Sequence, residues 1–415
     1  MRRRVAVTGL GLVCCLGRSL PAVVGRLRRG ESGIRSLPEW VELGLEARVA
    51  GRVEGVTAGE RPAEIPKRLY SAMSEAAVYC SLAALDAVAD ARLPQELLAS
   101  PRTACLVGSG IGSTGVLRQA TEAVALGQAR RLPPATVLRA MASSASAAVV
   151  QLLGIAGRSY SLSSACATSA HTVGHAFELI REGAADVAVA GGGEEINELV
   201  AVSFAALRLA LASRFQDEPG RASRPFDADR DGFVLAEGGV ILVLEEMEAA
   251  LARGARVRAE IVGFGANTDP TDLVLPDPDG RPAAACMDAA LEDARLAPAD
   301  VDYVNAHATG TRHGDAAEVA ALRRVFGPRL PAVSATKSAT GHALGASGAL
   351  ELAFCIAMLE GGFIAPSLNV DHLDPAFADL PVVTRPTDRP LEHILSNSFG
   401  FGGPNACLVL RRFAG

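Results

Sequence analysis

Short runs of β-branched and small apolar residues alternate with helical patterns along the whole chain, and this alternation restricts the fold more than any other feature. Thr103 to Val107, Val187 to Ala190, Val240 to Leu244, Val257 to Val262, Val301 to Val304 and Cys407 to Leu410 read as strands. Strands interleaved with helices indicate an α/β chain. The 415 residues suffice for two or three average domains or for one large duplicated unit. A faint internal echo links Val5-Ala6-Val7-Thr8-Gly9-Leu10-Gly11 with Ala259-Glu260-Ile261-Val262-Gly263-Phe264-Gly265, a pattern that alone carries little weight.

Apolar residues make up 49% and charged residues 21% of the chain, with 42 glycines and one tryptophan, which describes a well-packed, turn-rich globular protein and excludes a disordered one. A formal charge of −6 argues against nucleic acid as the main partner. Arg2 to Arg4 and Arg26, Arg28 and Arg29 read as solvated surface. No run of 18 uncharged apolar residues is present, and Met-Arg-Arg-Arg leads directly into a strand-like segment without a cleavage site. The expectation is an unprocessed cytoplasmic protein with no membrane span. The eight cysteines are scattered, most within apolar segments such as those of Cys105 and Cys355, so buried reduced thiols are expected rather than disulfides.

Cys166 is distinctive. It lies in Ser161-Leu162-Ser163-Ser164-Ala165-Cys166-Ala167-Thr168-Ser169-Ala170, where a β-prone run meets small residues and then a helical pattern. A thiol at a strand-to-helix turn sits beside free backbone N–H groups and the positive end of a helix dipole, which lower a reference pKa of about 8.5 and favour thiolate. Val304-Asn305-Ala306-His307-Ala308-Thr309-Gly310-Thr311 and Lys337-Ser338-Ala339-Thr340-Gly341-His342 each set a histidine among glycines and hydroxyls near a predicted strand end. One thiol and two histidines form a candidate acyl-transfer site.

These three motifs agree in order and spacing with a known family. The chain resembles the β-ketoacyl-acyl-carrier-protein synthases, condensing enzymes of the thiolase superfamily. The resemblance runs from Val5 to Gly11 at the start through to Asn397-Ser398-Phe399-Gly400-Phe401-Gly402-Gly403 near the end. Ser163 to His171 with Gly191-Gly192-Gly193-Glu194-Glu195 is similar to bacterial synthase I, whereas Gly108-Ser109-Gly110-Ile111-Gly112 is more like synthase II. The resemblance implies a duplicated α/β fold, layered α-β-α-β-α with two five-stranded mixed sheets. On that division residues 1–255 carry the nucleophile and residues 256–415 both histidines.

The resemblance also implies roles. Cys166 would be the nucleophile that takes an acyl group from a carrier-protein thioester, and His307 and His342 would stabilise the enolate formed when a malonyl-carrier loses CO2. Lys337 would support the site electrostatically, paired with Glu318. The backbone N–H groups of Cys166 and Phe401 would form the oxyanion hole, with Phe399 and Phe401 gating the acyl pocket and Ile111 limiting its depth. Thr309 and Thr311 would bind the phosphopantetheine arm, and Lys67 and Arg68 would dock the acyl carrier protein. No cofactor or metal is implied, since the substrates travel on the carrier's phosphopantetheine. A homodimer is expected, or a heterodimer with a ketosynthase-like chain-length subunit. A non-condensing acyltransferase or thioester hydrolase on the same scaffold, and a non-catalytic partner that sets chain length, are the alternatives; retention of Cys166, His307 and His342 argues against the latter.

Two motif matches carry no function. Gly110-Ile111-Gly112-Ser113-Thr114-Gly115 satisfies G-x-G-x-x-G, but Arg130 and Arg131 stand about 20 residues on, where a dinucleotide site needs an acidic residue. Asp227-Ala228-Asp229-Arg230-Asp231-Gly232 begins like a calcium loop, yet Gly238 occupies the place of the bidentate Glu. His171 and His175, at i and i+4, could chelate zinc but lack a third ligand cluster, so packing or surface roles are expected. Arg312 and Pro404 depart from the residues common in the family, Pro and Thr, and with the mixed synthase I and II features suggest a paralogue serving a specialised pathway.

Overall fold

The computed structural model describes residues 2–56, 59–208 and 210–415. Ten strands, numbered along the chain, build its main sheet: β1 (Val5–Val13), β2 (Thr103–Gly108), β3 (Ser159–Tyr160), β4 (Val187–Glu194), β5 (Gly238–Glu246), β6 (Ala259–Thr268), β7 (Tyr303–Asn305), β8 (Ala332–Ser334), β9 (His393–Phe399) and β10 (Pro404–Arg412). Their spatial order is β8-β7-β9-β10-β6-β1-β5-β4-β2-β3. Read outward from the centre, both halves follow one plan: first strand innermost, then fifth, fourth, second and third. In both, the fifth strand runs antiparallel to its two neighbours, while the second pairs in parallel with the third and fourth.

The echo between residues 5–11 and 259–265 has a structural cause. Val5, Ala6 and Val7 pair antiparallel with Ile261, Glu260 and Ala259, so the two five-stranded sheets implied by the family resemblance are joined edge to edge as one. Both strands are bulged at the same place. The register of β1 skips Thr8, and that of β6 skips Val262. Gly9 and Gly11 bring β1 against the carbonyls of Ala87 and Ala83 in the helix Glu75–Ala91, while Gly263 and Gly265 bring β6 against those of Ala290 and Cys286 in Arg281–Ala294. A Cβ at any of the four would collide with a helix carbonyl, which explains the repeated G-x-G.

Period-two alternation sorts the side chains into layers. Ala188, Ala190, Leu242 and Leu244 face a central layer built from the helices Thr168–Arg181 and Ser347–Gly361, whereas Val187, Val189, Ile241 and Val243 face Glu75–Ala91 and Ser144–Leu153. In the second half Leu408 and Leu410 point to the same central helices, and Cys407 and Val409 to Arg281–Ala294 and Arg312–Phe326. The result is the α-β-α-β-α stack. The segment Leu344–Gly361 is long and apolar enough to cross a membrane, but 89% of it is buried in this central layer. All eight cysteines are free and buried.

The strand over 103–108 follows the sequence reading closely. The expected strand at 257–262 begins and ends later, at Ala259–Thr268, and that at 301–304 becomes Tyr303–Asn305. The edge strands Ser159–Tyr160 and Ala332–Ser334 were not among the expected strands; two or three residues are too few to show a period.

Candidate active site

Cys166 occupies a single 3₁₀ turn, Ala165–Ala167, that leads into the helix Thr168–Arg181. Ala165 takes φ +50°, a left-handed conformation that an L-residue adopts only when its surroundings hold it there. Thr168 does so: its hydroxyl donates to the Ala165 carbonyl at 2.7 Å and accepts the Ser164 N–H at 2.9 Å. The second half repeats the elbow. Leu344 has φ +46°, and the turn Leu344–Ala346 leads into Ser347–Gly361. Gly348 lets the central helices meet at their starts, since a Cβ there would lie 2.6 Å from Ala170 N, and the Ala349 N–H donates to Ser169 Oγ at 2.9 Å. Two positive helix ends therefore converge on the site.

Cys166, His307 and His342 line one cavity together with Phe399, Phe401, Thr309, Thr311 and Glu318. The imidazoles stand edge to face, centroids 5.3 Å apart at 85°. Phe399 packs on His307 at 5.8 Å, and Phe233 on His342 at 5.3 Å. His307 lies in the loop after β7, where Glu318 accepts the backbone N–H groups of His307 at 2.9 Å and Ala308 at 2.7 Å and the Asn397 amide at 3.0 Å. His342 is held by an isolated bridge to Leu235: its N–H donates to the Val234 carbonyl at 2.7 Å, and its carbonyl accepts the Ala236 N–H at 2.9 Å. Within the cavity, Thr309 and Thr311 hydroxyls lie 3.2 Å apart, and Thr311 caps the helix Arg312–Phe326 by accepting the Gly314 N–H.

Lys337 is fully buried, but its partner is not the expected Glu318. Its ammonium lies 2.5 Å from Glu351, on the central helix Ser347–Gly361. Glu318 is committed to the backbone of the His307 loop instead. The lone carboxylate inside the apolar run Gly348-Ala349-Leu350-Glu351-Leu352-Ala353-Phe354 is the signal that could have found the true partner, because a buried charge in such a helix requires one. Glu351 is itself pushed up to about 7 by burial, with Lys337 opposing.

The electrostatics favour neutral groups. Burial and then the Lys337 charge push His342 well below the usual imidazole range, and His307 likewise, with His342 adding to the effect. The expectation of a thiolate-prone Cys166 is corrected. Burial pushes the thiol up to about 11, against the opposing pull of the Phe401 backbone N–H, the Lys337 charge and its own N–H. The two N–H groups that oppose the shift come from Phe401 and from Cys166 itself. The glycine-rich loop that supplies the first is anchored: Gly400 N–H donates to Pro404 O at 2.8 Å, and Gly402 N–H to Leu273 O at 2.8 Å. Pro404 opens β10, a place where its missing donor costs no ladder bond.

Ile111 is not among the residues lining this cavity; its side chain is 42% exposed. The loop's backbone turns inward, with Gly110 and Ile111 N–H groups donating to buried Glu194, which also accepts from Ser109 Oγ and Gly345 N–H. Lys67 and Arg68 are exposed on the short helix Lys67–Tyr70. The sequence reading had no role for Phe233, Glu194, Glu351 or the segment around Leu273. His171 binds Ser164 Oγ at 2.9 Å, and His175 binds Tyr160 at 2.7 Å. Among the described residues no group of three or more His, Cys, Asp and Glu side chains forms a metal cluster. Asp231 instead caps the backbone at Ser213 and Arg214, and Asp227 pairs with Arg224.

Known proteins place this geometry in context. Residues 2–250 match the N-terminal domain of the β-ketoacyl synthases and residues 258–371 their C-terminal domain. The chain is 45% identical to the 3-oxoacyl-[acyl-carrier-protein] synthase 1 of Escherichia coli (strain K12), covering 99% of both chains. It superposes on a β-ketoacyl synthase from Burkholderia phymatum STM815 with a TM-score of 0.94 at 36% identity, covering 100% of both. A chain of AntDE:AntF, described as a type II PKS acyl-carrier protein in complex with its ketosynthase bound to the hexaketide, gives 0.91 at 29% identity, again with 100% of both chains covered. The duplicated sheet is thus one shared with known ketosynthases, and the chain belongs to the β-ketoacyl synthase family.

Proposed function

We propose that the chain elongates a carrier-bound acyl group by decarboxylative Claisen condensation. The observation that carries this reading is one cavity holding a buried thiol beside two imidazoles kept neutral. Cys166 Sγ attacks the acyl thioester carbonyl, the C–S bond to pantetheine breaks, and the thiol proton leaves with the pantetheine sulfur. The oxyanion is held by the Cys166 and Phe401 N–H groups. Malonyl-carrier then loses CO2, and the electron pair of the broken C–C bond moves to the thioester oxygen as the enolate. His307 and His342 donate to that oxygen. The enolate carbon attacks the acyl-Cys166 carbonyl, a C–C bond forms, and Cys166 departs as thiolate and recovers a proton.

Neutral imidazoles suit the second step. They donate N–H without presenting a full cation that would hold the malonyl carboxylate in place. Lys337, paired with Glu351 behind them, opposes their protonation. Thr309 and Thr311, in the cavity wall, offer hydroxyls to the pantetheine amides. Lys67 and Arg68 offer charge to an acidic carrier protein. Arg68→Glu raises KM for carrier-bound substrate while sparing small thioesters; equal loss on both removes the docking role.

A homodimer is supported by the short edge strand Ser159–Tyr160 and by exposed Ile111, Leu117, Val124, Val137, Leu199 and Val202 in the same half. A second copy covering them would give Ile111 its place beside an acyl pocket. Fatty acid elongation in the cytoplasm is the pathway favoured by the likeness to synthase 1. Extension of a polyketide, with or without a chain-length subunit, is the second reading, favoured by the likeness to the type II ketosynthase and by the departures at Arg312 and Pro404.

Mass spectrometry of the protein given acyl-carrier and malonyl-carrier tests the proposal. An acyl adduct on Cys166 that converts to β-ketoacyl-carrier with CO2 release, and is absent in Cys166→Ala, is the expected result. An adduct released as free acid without extension would point to a hydrolase or simple acyltransferase.

A further inference from the structure

Asn397 is fully buried in β9, between β7 and β10, and a buried carboxamide needs a partner at each end. Its nitrogen has two: it donates to Glu318 Oε1 at 3.0 Å and lies 3.4 Å from Met287 Sδ. Its oxygen has one among the described residues, the thiol of Cys407, which donates to Oδ1 at 3.3 Å. The strand register makes this contact, because Cys407 stands directly opposite Asn397 on β10. On its other side Cys407 faces Gly265 of β6, whose carbonyl takes the thiol proton of Cys286 at 3.3 Å. Cys286 therefore leaves Oδ1 to Cys407. Burial, and then Cys286, push the Cys407 thiol well above its usual range, so it keeps the proton that it donates.

The oxygen and nitrogen of a carboxamide have nearly the same shape, so hydrogen-bond partners alone distinguish its two orientations. Here the NH2 group faces a carboxylate and the oxygen faces a thiol. Turned over, Oδ1 would oppose the Glu318 carboxylate, oxygen against oxygen, and the thiol hydrogen would point at an NH2 group that cannot accept it. Glu318 Oε1 is also the atom that accepts the His307 N–H at 2.9 Å, while Oε2 accepts that of Ala308 at 2.7 Å. The amide thus fixes the carboxylate, and the carboxylate holds the turn from which His307 enters the cavity. Without the thiol, Oδ1 becomes a buried acceptor with no partner, and nothing on the far side of the amide keeps it against Glu318.

We propose that Cys407 is a positioning residue: its thiol holds the Asn397 amide against Glu318 and so fixes the loop that presents His307 to the cavity. Cys407 is not among the residues lining that cavity, and its influence runs through three consecutive hydrogen bonds. The placement of the loop is independent of the reaction catalysed, whereas the effect on decarboxylation rests on the condensation reading. Loading of Cys166 does not involve this chain of bonds.

Cys407→Ala and Cys407→Ser remove nearly the same volume and differ only in a donor, so comparing them in the full-length protein separates donation from packing. Hydrogen exchange read by mass spectrometry over residues 303–310 is expected to quicken about fivefold in the alanine variant and to stay near wild type in the serine variant. CO2 release from malonyl-carrier slows by a similar factor in the alanine variant alone, with acyl adduct formation on Cys166 unchanged in both. Cys286→Ala, which removes the neighbouring thiol but leaves the donor to Asn397, keeps the wild-type exchange and rate. Cys407→Val, which fills the space without a donor, takes the place of the alanine variant if that one does not fold. Equal exchange in the donor and donorless variants, or a loosened loop with undiminished CO2 release, overturns the proposal. Exchange that changes as expected in a protein that never decarboxylates malonyl-carrier, wild type included, would instead overturn the condensation reading and leave the positioning of the loop standing.

Discussion

At the scale of single residues, the site depends on charges kept out of water. Lys337→Ala would leave the Glu351 carboxylate buried without its cation, and unfolding in urea at pH 8 should show a loss of about 3–5 kcal/mol. The loss shrinks at pH 6, because Glu351, already at about 7 with its partner present, takes a proton once that partner is gone. Replacing both, as Lys337→Met with Glu351→Gln, spares most of that cost. It also removes the cation that lowers both histidines, so their pKa values rise and the acidic limb of the kcat profile moves to higher pH by about one unit. Cys166 gives a second check. A thiol at about 11 reacts through a small thiolate fraction, so its alkylation by iodoacetamide should keep accelerating from pH 7 to pH 10; a plateau by pH 8 would return the site to the thiolate-prone reading. The sequence showed which residues gather here, because each sits in a local pattern of glycines and hydroxyls. It could not show the sign of the thiol's shift, since a helix start is visible in ten residues and burial by distant segments of chain is not.

At the scale of elements, the two G-x-G strands carry the duplication. Ala at Gly11 or Gly265 forces a Cβ against a helix carbonyl, so each variant should lose about 3 kcal/mol or more in chemical denaturation. Gly25 is the opposite case. It lies inside the helix Leu20–Arg28, and a Cβ there meets only the flexible end of Arg29 at 3.2 Å. Gly25→Ala should therefore gain about 0.5–1 kcal/mol. The strands rich in valine and leucine were legible because burial on both faces leaves a continuous apolar run. Ser159–Tyr160 and Ala332–Ser334 were not, because what makes them strands is a neighbour supplied by distant chain. The same holds for Glu318 and Glu351: both are buried carboxylates near Lys337 in sequence, and only the packing of the central helix decides which one meets the ammonium.

For the whole molecule, several buried carboxylates make stability depend on pH. Glu195 accepts backbone N–H groups from Gly115 and Ala76, with no cation among its hydrogen-bond partners in the described residues, and burial pushes it up to about 7 from 4.5. Between those values the folded state holds more protons than the unfolded chain, so this contribution to stability falls as pH rises. Glu195→Gln should stabilise the protein by about 2 kcal/mol at pH 8 and by little at pH 5, read from urea midpoints at the two pH values. Equal effects at both would mean that the carboxylate is ionised throughout.

The covalent joint between the halves, residues 247–258, contributes no side chain to the Cys166 cavity, whereas strand pairing and the two central helices join the halves directly. The chain could thus be cut there and still work as a two-piece enzyme. Fragments 1–252 and 253–415, made as separate polypeptides, would each be inert, one with a nucleophile and no enolate donors, the other the reverse. Turnover would appear only on mixing, and would report their reassembly.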